Sequence, residues 1–222
     1  MQAILFDFDG TLVDTQHLYN LAISKVLSDF NKKYTVEYCS NFFDGRCWSD
    51  AFTEISKEEG FDKEKIFHEG LSYAKDLISH HVNTTTGTVE ALEVLKEKDI
   101  KYGICSNSHT DEIDFILGKT QLKKYFPSDV IFGRNFVKTG KPASDIYQLA
   151  LQKMCINAEN CFAVEDSING ATASINAGIT TFIFSGATSF TGANKFKKTF
   201  DFPLQLFHDM RDVVNFIVYA KQ

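Results

Sequence analysis

Proline is scarce, with three residues in a chain of 222. No serine- or glycine-rich stretch accompanies them, which argues against two domains on a flexible tether. Positive charge is in deficit too: 23 Lys and Arg face 29 Asp and Glu, a formal net charge of −6. A nucleic-acid backbone is held by an excess of Lys and Arg, so that partner is not expected. The one basic run, Lys195-Phe196-Lys197-Lys198, reads as a solvated surface turn. Nothing approaches the roughly 18 consecutive apolar residues of a membrane span. The cysteines (Cys39, Cys47, Cys105, Cys155 and Cys161) form no Cys-x-x-Cys pair and have no His at zinc-ligand spacing. An odd, scattered set of thiols fits a reducing cytoplasm. Met1-Gln2 passes into Ala3-Ile4-Leu5-Phe6 without a basic start or a leader-like apolar stretch. The expectation is a soluble, cytoplasmic protein that meets neither nucleic acid nor membrane, with a monomer as the default.

What is present is globular in character. A hydrophobic content of 44% supports one large domain, or a core domain carrying a smaller insert. Ala3 to Phe8 is a short apolar run ending in acidic residues and Gly10, a buried strand that feeds a loop. From about 15 to 86 the apolar residues recur at helical spacing. Leu18, Leu21, Ala22, Val26 and Phe30 do so, then Ala51, Phe52 and Ile55, then Phe67, Leu71, Ala74 and Ile78. From Thr88 onward helices alternate with short apolar strands: helix 89–98, strand 101–105, helix 111–118, strand 130–132, helix 145–154, strand 161–164, helix 168–177, strand 180–184 and helix 210–219. That alternation predicts an α/β fold with a doubly wound parallel sheet, a Rossmann-like core. The all-helical block is an insert after the first strand. The predicted boundaries are 1–14 and 87–222 for the core, and 15–86 for the helical domain.

Ligands of such sheets lie beyond the carboxyl ends of the strands. Three strand ends carry polar groups: Asp7-Phe8-Asp9, Ser106-Asn107-Ser108 and Glu165-Asp166-Ser167. Two carboxylates at one buried strand end repel each other unless a cation or a shared proton compensates. Gathering Asp7, Asp9, Glu165 and Asp166 at one sheet edge makes an all-oxygen site suited to Mg²⁺. Lys141 supplies positive charge, and Ser106 and Asn107 supply hydrogen-bond donors to phosphoryl oxygens. Taken singly, Asp-Phe-Asp-Gly-Thr also fits a turn and Ser106-Asn107-Ser108 a helix N-cap. Their joint occurrence in this order is the informative signal.

On these residues the chain resembles the haloacid dehalogenase superfamily, in its branch of small-metabolite phosphatases and β-phosphoglucomutase-like proteins. The matching segments are Ile4-Leu5-Phe6-Asp7-Phe8-Asp9-Gly10-Thr11-Leu12-Val13-Asp14, Ile104-Cys105-Ser106-Asn107-Ser108, Gly140-Lys141-Pro142-Ala143-Ser144-Asp145-Ile146-Tyr147 and Val164-Glu165-Asp166-Ser167-Ile168-Asn169-Gly170. Ser144 stands where the family usually has Pro. The resemblance implies a Mg²⁺-dependent phosphatase of a small phosphorylated metabolite, a sugar phosphate or similar, working through an aspartyl-phosphate. Asp7 would be nucleophile and metal ligand. Asp9 would be general acid and base, with its backbone carbonyl on the metal. Ser106 and Lys141 would hold the phosphoryl group, and Asp166 and Glu165 would bind Mg²⁺, Glu165 directly or through water. The acid two residues after the nucleophile favours a phosphate ester over a halide or phosphonate.

The helical insert corresponds to the family's cap, with Gly45 and Arg46 as candidate substrate-binding residues. A phosphosugar mutase is the alternative. It fits less well, because Tyr19 and Trp48 stand where β-phosphoglucomutases carry His and Arg. A catalytically silent binding protein is the second alternative. It predicts loss of Asp7, Asp9, Lys141 or Asp166, all of which are present.

Overall fold

The computed structural model describes residues 2–31, 33–43, 48–187, 196, 198–200 and 205–219. The chain divides into two compact units, one of residues Met1–Asp14 and Asn83–Gln222, the other of residues Thr15–Val82.

The first unit is built on six parallel strands: β1 (Ala3–Phe6), β2 (Lys101–Cys105), β3 (Ile131–Phe132), β4 (Cys161–Glu165), β5 (Thr180–Phe184) and β6 (Leu206–Phe207). Their order is β3-β2-β1-β4-β5-β6, the doubly wound parallel sheet expected from the alternating pattern. All four residues of β1 are buried, which explains its unbroken apolar run: a central parallel strand is covered on both faces. Ala3 and Leu5 join Ile146, Tyr147, Ala150 and Ala173 in one core cluster. Ile4 and Phe6 point the other way by the period of two. The α-helices α5 (Thr88–Glu97), α6 (Thr110–Lys119), α7 (Asp145–Met154), α8 (Ile168–Asn176) and α9 (Met210–Tyr219) belong to the same unit.

The second unit holds α1 (Gln16–Leu27), α2 (Val36–Phe43), α3 (Trp48–Glu59) and α4 (Lys63–His81). The Asp62 side chain starts α4 by accepting from the Lys65 N–H at 3.2 Å. Its buried residues are Ile66, Gly70, Ala74 and Ile78, a strict four-residue stripe. Ile66 joins Ile23, Leu27, Tyr34, Cys39, Phe43, Phe52 and Ile55 in this unit's own core. Two residues counted on the α1 stripe from sequence, Leu21 and Phe30, are exposed instead. Among the described residues no helix is long and apolar enough to cross a membrane.

The chain leaves the sheet unit after Asp14 and re-enters it at Asn83. At that crossing the Asp14 N–H donates to the Asn83 carbonyl at 2.9 Å, and the Thr85 hydroxyl to the Thr11 carbonyl at 2.5 Å. Residues 83–86 therefore belong with the sheet unit.

Candidate active site

The strand order reverses beside β1. The chain goes from β1 to β2 and β3 on one side, then crosses to β4 and β5 on the other. The crevice at this reversal is where the fold leaves room for a ligand. Register fixes what lines it. Phe6 pairs with Ile104 of β2 and Val164 of β4, so the next residue along, Asp7, is flanked by Cys105 and Glu165. The ladder continues one bond further, from the Asp7 N–H to the Val164 carbonyl at 2.9 Å.

After Asp7 the chain folds into a tight turn in which the Phe8 carbonyl accepts from the Leu12 and Val13 N–H groups at 2.9 and 3.1 Å. Gly10 sits in this turn at φ +85°, a conformation that costs other residues a steric penalty. A side chain there would also run into the Asp166 carboxylate. The turn thus keeps clear the space that Asp166 uses.

Lys141 lies at the centre. Its side chain is 3% exposed, and its Nζ donates to Asp7 Oδ1 at 2.5 Å, Glu165 Oε1 at 2.6 Å and the Cys105 carbonyl at 2.7 Å. An ammonium has three protons and here three acceptors. Its charge also lies 5.3 Å from the centroid of the Tyr147 ring. The Tyr147 hydroxyl donates to the same Glu165 Oε1. Burial works against the Lys141 ammonium, but the Asp7 and Glu165 charges outweigh it and hold its pKa above that of an ordinary lysine.

Asp9 stands beyond Asp7, half-buried, and its Oδ2 accepts from the Ser108 hydroxyl at 2.7 Å. Ser106 is buried, and its Oγ accepts from the Ser108 N–H at 3.0 Å. Asn107 ties two loops together. Its Oδ1 accepts from the Lys141 N–H at 2.8 Å, and its Nδ2 donates to the Lys141 carbonyl at 3.2 Å. Gly45 and Arg46, the substrate-binding candidates, lie outside the described residues.

Three of the four expected metal-site acids converge: Asp7, Glu165 and Asp166 each offer a carboxylate oxygen, all within 4.8 Å of one another. Glu165 is fully buried, and its second oxygen, Oε2, has no hydrogen-bond partner. A bare carboxylate oxygen in that setting is costly. Burial first, with the Asp7 charge adding to it, pushes the Glu165 carboxyl up to about 7 against the pull of Lys141. Asp166 is driven well above the usual carboxylate range, by burial and then by Asp7 and Glu165. The donor set is all oxygen and over-supplied with negative charge, and one buried oxygen lacks a partner. These residues fit a hard divalent cation.

Two functional-looking contacts, those of Tyr147 and Ser108, escaped the residue-by-residue reading. Tyr147 carried a faint signal: it lies on the buried side of α7 with Ile146 and Ala150, and a buried tyrosine needs a partner for its hydroxyl. Ser108 carried none beyond its place in the Ser106-Asn107-Ser108 run.

Comparison with known proteins gives the family and the fold. Residues 4–184 match the family model described as haloacid dehalogenase-like hydrolase. A phosphorylated carbohydrates phosphatase of Thermotoga maritima is 32% identical over 184 residues, covering 81% of this chain and 82% of that protein. A pyrophosphatase of Listeria welshimeri is 30% identical over 177 residues, covering 78% of each. Among solved structures, a conserved haloacid dehalogenase-like protein of unknown function from Agrobacterium tumefaciens superposes with a TM-score of 0.85 at 23% identity, covering all of both chains. That last likeness is one of fold.

Proposed function

This chain belongs to the haloacid dehalogenase-like hydrolases, and from that premise we propose that it is a Mg²⁺-dependent phosphatase of a small phosphorylated carbohydrate. The observation that carries the reading is the buried Lys141–Asp7–Glu165 array at the sheet's reversal point, with Glu165 Oε2 left without a partner. Asp7, Glu165 and Asp166 would hold the cation, with Asp9 contributing its backbone carbonyl. Bound there, the ion supplies charge neutralisation for a transferring phosphoryl group.

The protein's own groups carry the rest. A carboxylate oxygen of Asp7 attacks phosphorus as the ester P–O bond breaks, and Asp9 gives its proton to the departing oxygen. Water then attacks the phosphorus of the aspartyl-phosphate and passes a proton to Asp9, and the Asp7–phosphorus bond breaks to release inorganic phosphate. Lys141 holds Asp7 by Oδ1 throughout, so the nucleophile meets the substrate in one orientation. The Ser106 Oγ accepts from the Ser108 N–H, which leaves its own proton for a phosphoryl oxygen. In this reading the helical unit is the cap that selects the substrate. The described cysteines are free thiols, which supports work in a reducing compartment.

The similarity to a pyrophosphatase favours a second reading, in which the scissile bond is a phosphoanhydride. One assay separates the two: phosphate release from sugar monophosphates, a sugar-acid phosphate and inorganic pyrophosphate, with Mg²⁺, with EDTA and with Asp7→Asn. The expected result is Mg²⁺-dependent release from a carbohydrate ester, lowered at least about 10³-fold by Asp7→Asn. Preference for pyrophosphate would select the second reading. Conversion of β-glucose 1-phosphate to its isomer without phosphate release would overturn both in favour of a mutase.

A further inference from the structure

We propose that Ser108 is a positioning residue for Asp9, holding the carboxyl group in the orientation from which it protonates the leaving oxygen. This deepens the phosphatase reading and rests on Asp9 as the general acid of that mechanism.

Ser108 is fixed through its backbone on two sides. Its N–H donates to Ser106 Oγ at 3.0 Å, and its carbonyl accepts from the Arg134 N–H at 2.9 Å, in the loop that follows β3. A serine just ahead of a helix ordinarily turns its hydroxyl to that helix's first turn. At the start of α6 it is Glu112 that reaches back, accepting from the His109 N–H at 3.1 Å. The Ser108 hydroxyl goes instead to Asp9 Oδ2 at 2.7 Å, 99 residues away in sequence. One residue therefore links the end of β1 to the end of β2 and touches both Ser106 and Asp9.

The consequence is geometric. A carboxyl group rotates about its last bond, and a donor on one oxygen fixes that rotation. When Asp9 is protonated, a hydroxyl donating to Oδ2 places the transferable proton on Oδ1. Asp9 then gives up that proton as the P–O bond breaks and regains one from water in the second half-reaction. Ser108 neither gains nor loses a proton over the cycle. Without its hydroxyl one contact that orients the Asp9 carboxyl is lost, and a smaller part of the population is aligned for transfer.

A leaving-group series tests this. Wild type, Ser108→Ala, Ser108→Thr and Asp9→Asn are compared on an alkyl phosphate, phenyl phosphate and dinitrophenyl phosphate, all with Mg²⁺. The readout is kcat/KM, which reports the steps up to release of the leaving group. An alkoxide must be protonated as it leaves, whereas a dinitrophenolate leaves as the anion. Ser108→Ala is expected to lose about tenfold on the alkyl ester and less than about twofold on the dinitrophenyl ester. Ser108→Thr, which keeps the hydroxyl, is expected to recover the alkyl rate. Asp9→Asn should show the same slope more steeply, about 10²–10⁴ on the alkyl ester. An equal loss of Ser108→Ala on every ester, or no loss on any, with Asp9→Asn still steep, would overturn the positioning role and leave the acid in place. A series for Asp9→Asn as flat as that of wild type would remove Asp9 from the acid role, and this proposal with it.

Discussion

Lys141 places a charged ammonium where almost no water reaches it, and two carboxylates and a carbonyl make the arrangement tolerable. A buried ion pair gains little over an apolar replacement of both partners, but removing one partner strands the other. Lys141→Met keeps most of the side chain's volume and strands Asp7 and Glu165. Urea unfolding of the metal-free variant at about pH 8 is expected to show a loss of about 3–5 kcal/mol. At about pH 5 the loss should shrink, because Glu165, already pushed up to about 7 with the lysine present, takes up a proton and no longer needs a cation. An equal loss at both pH values would mean that Lys141 contributes packing rather than charge. Read alone, Lys141-Pro142 in the sequence says almost nothing. Its position became legible only because acidic strand ends stand on both sides of it in the chain. The role of Tyr147 stayed hidden for the complementary reason: a tyrosine in an apolar helical stripe looks like core, and its side chain is indeed buried in that core.

Loops at strand ends carry the site, yet the helix that follows each loop decides how close the backbone comes. The Ser167 side chain accepts from the Gly170 N–H at 3.0 Å to start α8. That places Gly170 of the first turn against Glu165, where an added Cβ would collide with the carboxylate. Gly170→Ala is therefore expected to push Glu165 off its bonds to Lys141 and Tyr147. The predicted cost is about 1–3 kcal/mol, with weaker divalent-cation binding by calorimetry. Unchanged stability and unchanged cation affinity would show that α8 gives way without disturbing Glu165. Helices and strands of this core were readable from the sequence because apolar period and element type agree. Predicted helices 145–154 and 210–219 coincide with α7 and α9. β6 went unread because Gln205 and His208 leave Leu206 and Phe207 an apolar pair only, whereas the equally short β3 lies in the apolar run Val130-Ile131-Phe132. On α4 the expected stripe began at Phe67, whereas the buried face begins at Ile66 and runs through Gly70. A glycine adds nothing to an apolar pattern, so the sequence hides a contact position there.

At the scale of the molecule, a cluster with more acids than cations couples folding to both protons and metal. Glu165 moves from an ordinary 4.5 to about 7 in the folded chain, and Asp166 moves in the same direction. In this interval the folded state holds protons that the unfolded state releases. The stabilisation Glu165 contributes is fully present below about pH 4.5 and is lost as pH rises through about 7, and Asp166 acts in the same sense. For Glu165 the shift corresponds to roughly 3 kcal/mol. A divalent cation reverses the trend, because it competes with the same protons and binds best when they are gone. Thermal unfolding in EDTA should therefore show this contribution falling between about pH 5 and pH 8. Other carboxyls pull oppositely: Glu59, Glu93 and Asp209 are held low by neighbours. They do so with or without metal, so the difference between the Mg²⁺ and EDTA curves isolates the cluster. That difference in Tm is expected to be small at about pH 5 and to widen towards pH 8. A difference that stays constant, or that narrows with rising pH, would place the cation somewhere other than on Glu165 and Asp166, and the assignment of the metal to this sheet edge would fall with it.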